Sequence, residues 1–272
     1  MSLISSSSSF SWLVTMLRAA GCVFAEDEAR LLSCAASSDG ELAAMAQRRA
    51  AGHPLEHVLG WAEFCGLRVE VDEGVFVPRR RSEFLARQAA ALAAPGDVVL
   101  DLCCGSGALG AALAASVEDL ELHAADIDPA AVRCARRNLA AAGGRVHEGD
   151  LYGPLPAALL GRVDILVANA PYVPAGSVAL LPPEARVHEP RAALDGGADG
   201  LDVLRRVTAQ APLWLAPDGI LLVETSEGQV ARAADAVARS GLSPRVAVCG
   251  ELGATVIVAR RSGCEDAAAT GQ

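Results

Sequence analysis

The chain has 272 residues, 52% of them hydrophobic and 21% charged, and carries a formal charge of -10. That length and apolar content suffice for a sizeable core, most naturally one large domain and one small one, and the acidic balance opposes non-specific binding to a phosphate backbone. Lysine is absent, so all 23 basic residues are arginine, a bias of genomic base composition rather than of function.

Residues 5–9 are serines, followed by a mostly apolar run over 10–17. The run has superficial signal-peptide character, but it lacks a basic leader and Arg18 interrupts it. It reads as a serine tail and an amphipathic helix, with a second helix over 28–36 and helical structure to about residue 50. No stretch is long enough to span a membrane, so a cytoplasmic protein is expected. A connector with a turn at Pro54 and a short strand pair over 64–77 come next. Strands near Val98, Leu120, Val146, Val163, Ile220, Arg245 and Thr255 then alternate with helices near Ala108, Ala130, Leu201 and Val230. Seven strands with a late hairpin predict an α/β doubly wound sheet, and the small polar tail 262–272 is expected to be disordered. The eight cysteines contain no Cys-x-x-Cys pair and mostly sit in apolar runs, as reduced buried thiols do. The five histidines show no metal spacing.

Along that sheet, Val98-Val99-Leu100-Asp101-Leu102-Cys103-Cys104 runs into Gly105-Ser106-Gly107-Ala108-Leu109-Gly110 and an Ala/Leu-rich helix. Glycines in a strand–loop–helix junction let a ligand approach the main chain. The Gly-x-Gly-x-x-Gly spacing, with Asp126 after the next strand, also fits a dinucleotide. Asp101 argues for S-adenosylmethionine instead, because an anion at the first strand's end repels pyrophosphate and attracts a sulfonium and an ammonium. Asp126 can take ribose hydroxyls under either reading, and Asp150 can accept from an adenine amino group. Asp128 before Pro129 reads as a helix N-cap.

The fourth strand ends in Asn169-Ala170-Pro171-Tyr172. An Asn oxygen beside a free carbonyl grips the two hydrogens of a delocalised amino group and turns its lone pair toward an electrophilic methyl. A strand ending in a turn gives the same four residues.

The order of these pieces resembles the HemK/PrmC-type protein-(glutamine-N5) methyltransferases over most of the chain. Gly52-His53-Pro54-Leu55-Glu56-His57-Val58-Leu59-Gly60 with Glu63-Phe64 and Gly66-Leu67 resembles that family's linker and hairpin. Val77-Pro78-Arg79-Arg80-Arg81-Ser82-Glu83 is similar to its Pro-Arg-Pro-x-Thr-Glu segment, and Asn169-Ala170-Pro171-Tyr172 stands where it has Asn-Pro-Pro-Tyr. Glu189-Pro190-Arg191 and Ala193-Leu194-Asp195-Gly196-Gly197-Ala198-Asp199-Gly200-Leu201 follow at the expected place. Ala170, Arg80-Arg81 and Cys103-Cys104 depart from the pattern and mark a divergent branch.

The resemblance implies a seven-stranded Rossmann-like S-adenosylmethionine-dependent sheet over 81–261, a helical substrate-docking domain over 1–60 and a hairpin linker over 61–80. It implies cofactor contacts from Asp101, Cys103, Gly105, Gly107, Asp126, Ile127, Asp150, Leu151 and Asn169. Asn169, Ala170, Pro171 and Tyr172 would carry the transfer, and Asn169, Tyr172, Glu189 and Pro190 would meet the substrate, with no metal. The implied partner is a protein bearing a target glutamine, a translation termination factor foremost, with nucleic acid present only as part of a ribosomal complex. A DNA or RNA amino-methyltransferase acting on adenine N6 or guanine N2 uses the same tetrapeptide logic. A nicotinamide dehydrogenase is disfavoured by Asp101, and a cofactor-binding module without turnover is conceivable through Ala170.

Overall fold

The computed structural model describes residues 7–261, so the terminal tail expected beyond 261 lies outside the described residues. Four helices come first, α1 (Ser7–Ala19), α2 (Ala25–Ala35), α3 (Asp39–Ala50) and the short α4 (Leu55–Leu59). Leu13, Leu17, Leu32, Leu42 and Val58 meet between them and form a core of their own. Ser38 caps α3 by accepting from the Glu41 amide, which satisfies one of the orphan donors of the first turn.

A two-stranded hairpin follows, β1 (Trp61–Phe64) and β2 (Leu67–Glu70). It lies earlier than the strand pair expected over 64–77. Its turn is Cys65-Gly66, both at positive φ (50° and 74°), the signature of a mirror-image two-residue turn that Asn-Gly or Asp-Gly usually advertises and Cys-Gly hides. Residues 71–79 continue without a strand into a 3₁₀ turn at Arg80–Ser82 and helix α5 (Glu83–Ala90).

The large sheet then alternates with helices through β3 (Val98–Leu102), α6 (Ala108–Ser116), β4 (Glu121–Asp126), α7 (Pro129–Asn138), β5 (Arg145–Glu148) and β6 (Val163–Ala168). It ends with α8 (Pro183–His188), α9 (Asp202–Trp214), β7 (Leu215–Thr225), α10 (Val230–Arg239), β8 (Leu242–Cys249) and β9 (Ala254–Arg261). Strand order is β5-β4-β3-β6-β7-β9-β8, with β3 to β7 parallel and the last hairpin antiparallel, as expected for the seven-stranded fold. Both faces of β3 are covered, so all five of its residues are buried and the strand reads as a continuous apolar run around one acid. Leu100, Leu102, Leu166 and Leu221 face α9 and α10, while Val99, Ile165, Val167 and Leu222 face α5 and α6. Asp128 caps α7 through the Ala130 amide with Pro129 in the first turn, as its sequence context requires.

Buried charge joins the helical unit to the sheet. Arg49 donates to both oxygens of Glu28 (2.6 and 3.1 Å), to the His53 carbonyl (3.1 Å) and to Glu184 on α8 (2.7 Å). His57 Nε2 bonds the Val75 carbonyl at 2.8 Å, and His53 packs on His188 at the end of α8 with ring centroids 4.2 Å apart. No described helix is long and apolar enough to cross a membrane.

Removing one partner of such a pair leaves the other charge buried and unpaired, at a cost of about 3–5 kcal/mol. Arg49→Ala is therefore expected to lower the unfolding midpoint markedly by circular dichroism, Glu28 being only 8% exposed. A midpoint equal to that of the parent would show that the pair contributes nothing.

Candidate active site

Strand order reverses between β3 and β6: β4 continues on one side of β3 and β6 leaves on the other. Open α/β sheets bind ligands outside the carboxyl ends of the strands at such a switch point. A cavity of about 290 Å³ lies there. The loop after β3 supplies Cys103 and Gly105, the end of β4 Asp126 and Ile127, the loop after β5 Asp150 and Leu151, and the loop after β6 Asn169 and Pro171. Phe76, Pro190 and Arg206 help close the walls.

Two of the expected cofactor residues are elsewhere. Gly107 is at the N-terminus of α6 with φ 80°, where a Cβ would come within 3.1 Å of Ala135 and 3.2 Å of Leu139, so it serves the packing of α6 on α7. Asp101 is fully buried and turned away from the cavity, its Oδ2 accepting from the Gly110 amide at 3.3 Å and its Oδ1 without a partner. Strand alternation explains this, because Leu100 and Leu102 occupy one face of β3 and Asp101 shares the other with Val99. Burial, only partly offset by the Gly110 bond and reinforced by Asp126, pushes its pKa up from 3.8 to about 8. The Asp101 carboxyl is thus mostly neutral at pH 7 and is not the anionic wall the sequence promised.

Charge at the cavity comes from other acids. Asp126 accepts from the Gly105 amide (2.8 Å) and from the Asp128 amide (2.9 Å), which fixes the glycine loop against β4. Burial raises its pKa, and those backbone bonds work in the opposite direction. Asp150 is paired with Arg206 at 2.5 Å. Burial pushes the Cys103 and Cys104 thiols up, which disfavours their nucleophilic thiolates.

At the loop after β6, the Asn169 amide nitrogen donates to Ser82 Oγ at 3.1 Å, and no described residue donates to Asn169 Oδ1. Tyr172 donates its hydroxyl to Glu224 on β7 at 3.0 Å, and burial raises its pKa. Arg81 lies 5.5 Å above the Tyr172 ring and donates to the same Glu224 oxygen at 3.2 Å. Behind the loop, Val173 forms a parallel bridge with Asp195, and Gln229 Nε2 donates to the Tyr172 and Asp199 carbonyls. A Cβ on Gly196 would lie 2.5 Å from the Pro171 oxygen and one on Gly200 2.3 Å from the Tyr172 oxygen. The run 193–201 is therefore glycine-rich because its backbone touches the backbone of the Asn169 loop.

Glu189, expected at the substrate, instead gives its carboxylate to Arg79 (2.6 and 2.5 Å), and only its neighbour Pro190 lines the cavity. Ser82, Arg79, Arg81, Glu224 and Gln229 are site residues that sequence reasoning missed. Glu224 carried a signal, a lone acid at the end of the buried run 220–223.

A family model, Methyltransferase small domain, matches residues 67–198. A release factor glutamine methyltransferase of Geobacter sulfurreducens is 40% identical over 74% of this chain and 72% of its own length. A 4-amino-L-phenylalanine/4-methylamino-L-phenylalanine methyltransferase of Streptomyces pristinaespiralis is 36% identical over 68% of this chain and 65% of its own. A solved methyltransferase from Pyrococcus furiosus shares the fold, with a TM-score of 0.54 at 16% identity over 72% of this chain and 90% of that one.

Because the folded protein keeps the Asp101 proton to about pH 8 while the unfolded chain loses it near 3.8, folding binds a proton across that window. This contribution makes stability fall as pH rises through the window and level off above it. Asp101→Asn removes it, so the variant should gain on the parent as pH rises, by at least about 3 °C in melting temperature at pH 7.5. A constant difference between the two melting curves from pH 4 to 8 would contradict the buried neutral acid.

Proposed function

This chain belongs to the release factor glutamine methyltransferase family, and we propose that it transfers a methyl group from S-adenosylmethionine to the side-chain amide nitrogen of a glutamine in a translation release factor. The observation that carries this reading is Asn169, anchored through its nitrogen with its oxygen unengaged, on the wall of a cavity at the sheet's switch point. The cavity suits the donor. Ile127 and Leu151 offer apolar surface, Asp126 and Asp150 offer carboxylates, and nothing lies within 4 Å of a Cβ built on Gly105, which leaves its backbone open to close approach. Cys103, Gly105, Asp126, Ile127, Asp150 and Leu151 are proposed to hold it, with Asp126 at the ribose and Asp150 at the adenine, while Asn169 on the same wall serves the acceptor.

S-adenosylmethionine, when bound, supplies an electrophilic methyl. The chain's own residues must do the rest by orientation. A glutamine nitrogen is a poor nucleophile because its lone pair is delocalised into the carbonyl. Asn169 Oδ1 accepts one of its hydrogens and the Ala170 carbonyl the other, which turns the lone pair toward the methyl and stabilises the positive charge that develops on nitrogen. Pro171 keeps Ala170 extended, so the carbonyl keeps its direction although the family's first proline is missing. Tyr172, its hydroxyl held by Glu224, packs on the planar amide. The proton leaves after transfer, when the nitrogen is far more acidic, so no strong base is needed. Glu189 acts through Arg79 rather than on the substrate, and α1 to α4 dock the protein that carries the glutamine.

A release factor works in the cytoplasm, and the net charge of -10 disfavours nucleic acid as the direct acceptor. The test is incubation with methyl-labelled S-adenosylmethionine and, in separate reactions, a release factor, 4-amino-L-phenylalanine and short RNA and DNA duplexes, with label located by mass spectrometry. Label is expected on a release-factor glutamine, and label confined to the arylamine or to nucleic acid would overturn the substrate. Asn169→Ala should bind the donor normally and lose at least about tenfold in transfer rate, as removal of a transition-state contact requires.

A further inference from the structure

The segment 79–82 touches the site at three points. Arg79 holds Glu189, Arg81 holds Glu224, and Ser82 Oγ receives the Asn169 nitrogen at 3.1 Å. The two arginines bind carboxylates that brace the walls. Arg81 also lies 5.5 Å above the Tyr172 ring, but Ser82 alone hydrogen-bonds Asn169.

Ser82 is 2% exposed, and its own amide donates to the Arg79 carbonyl at 2.9 Å in the 3₁₀ turn that opens α5. The backbone that carries the hydroxyl is therefore held in place, and burial of the short side chain restricts where the hydroxyl can point. An asparagine amide has two ends of similar shape and opposite polarity. Only the oxygen end can accept a hydrogen from an incoming amide; the nitrogen end would confront it donor to donor. An Asn169 free to rotate about its side-chain bonds would lose both direction and polarity. In the observed arrangement Ser82 Oγ accepts from the nitrogen end and leaves Oδ1 for the acceptor; a hydroxyl can also donate, so what the contact fixes is the direction of the amide, and Ser82 is the one described side-chain hydrogen-bond partner that Asn169 has.

We propose that Ser82 is a positioning residue for methyl transfer, holding the Asn169 amide so that its oxygen faces the nitrogen to be methylated. This rests on the glutamine-methylation reading above. It requires that the hydroxyl contribute to the transfer rate and not to donor affinity, and that its contribution vanish when Asn169 is gone.

The experiment is a double-mutant cycle of Ser82→Ala and Asn169→Ala with Ser82→Thr as the conservative variant. It reads kcat on a release factor, KM for each substrate and the dissociation constant of S-adenosylmethionine by calorimetry. Ser82→Ala should lower kcat about tenfold, with donor affinity within about twofold of the parent. Ser82→Thr should restore kcat to within about threefold, and the double variant should be no slower than Asn169→Ala alone, the non-additivity expected of residues acting through one contact. If Ser82→Ala folds poorly, Ser82→Cys keeps the volume with only a weak acceptor and carries the same comparison. Unchanged kcat in Ser82→Ala, no rescue by threonine, or additive losses in the double variant would each overturn the role while leaving glutamine methylation standing. Failure of the parent protein to label any glutamine would overturn the substrate reading and this role together.

Discussion

Backbone-to-backbone contact between the Asn169 loop and the stretch ending at Gly200 is the constraint on which the site depends. The loop leaves the sheet at Ala168, where no further strand ladder can hold it, and its carbonyls must be directed by something else. The bridge from Val173 to Asp195 and the bonds from Val173 to Leu194 and from Gly196 back to Val173 supply a short substitute ladder. It can form only because positions 196 and 200 have no Cβ to collide with the Pro171 and Tyr172 oxygens. The positive φ of Gly200, 79°, adds a conformational reason to the steric one. The tetrapeptide and the glycine run are therefore one structural unit, which is the physical content of their joint appearance in the sequence.

Around that unit, the cavity tolerates conformations that a rigid frame has to enforce. Cys103 and Leu151 both line it and both lie in the left-handed region, at φ 57° and 50°. Such residues cost on the order of 1–3 kcal/mol each and persist only where their surroundings over-determine them. The surroundings here are two layers of core, one on each face of the sheet. A cysteine at position 103 is thus tolerated by the frame rather than required by the turn, and its thiol, raised in pKa by burial, adds apolar surface to the cavity wall.

The sheet, the placing of Asp126 and Asp150 at its rim and the Asn169 loop were legible because each rests on local pattern: apolar runs, a glycine loop, an acid at or just after a strand end. What was not legible rests on alternation and on distance. Asp101 reads as the end of its strand, but Leu102 continues it and the period of two turns the acid into the core. Glu189 and Arg79 are 110 residues apart, and Asn169 and Ser82 are 87 apart, so no periodicity links them. Only the winding of the sheet brings 79–82 over the loop after β6. The resemblance marked Val77 to Glu83 as meaningful without saying that its arginines and serine are the clamps.

The same clamps determine how the helical unit relates to the chemistry. Arg49 joins Glu28 on α2 to Glu184 on α8, and α8 runs directly into Glu189, which Arg79 grips, and Pro190, which walls the cavity. The tilted ring contact of His53 with His188 closes the same path from the connector. A chain of buried or partly buried contacts, rather than a flexible tether, thus fixes the distance from helices α1–α4 to the Asn169 oxygen. For a small substrate that rigidity would be irrelevant, since the cavity alone would orient it. For a glutamine carried on a protein, a partner seated on the helices would deliver its side chain at a set height and angle, so docking would already restrict the motion that the transfer must otherwise remove. The departures at Arg80-Arg81 and Ala170 leave these contacts intact: Arg79 grips Glu189, Ser82 meets Asn169, and position 170 keeps its backbone carbonyl whatever its side chain.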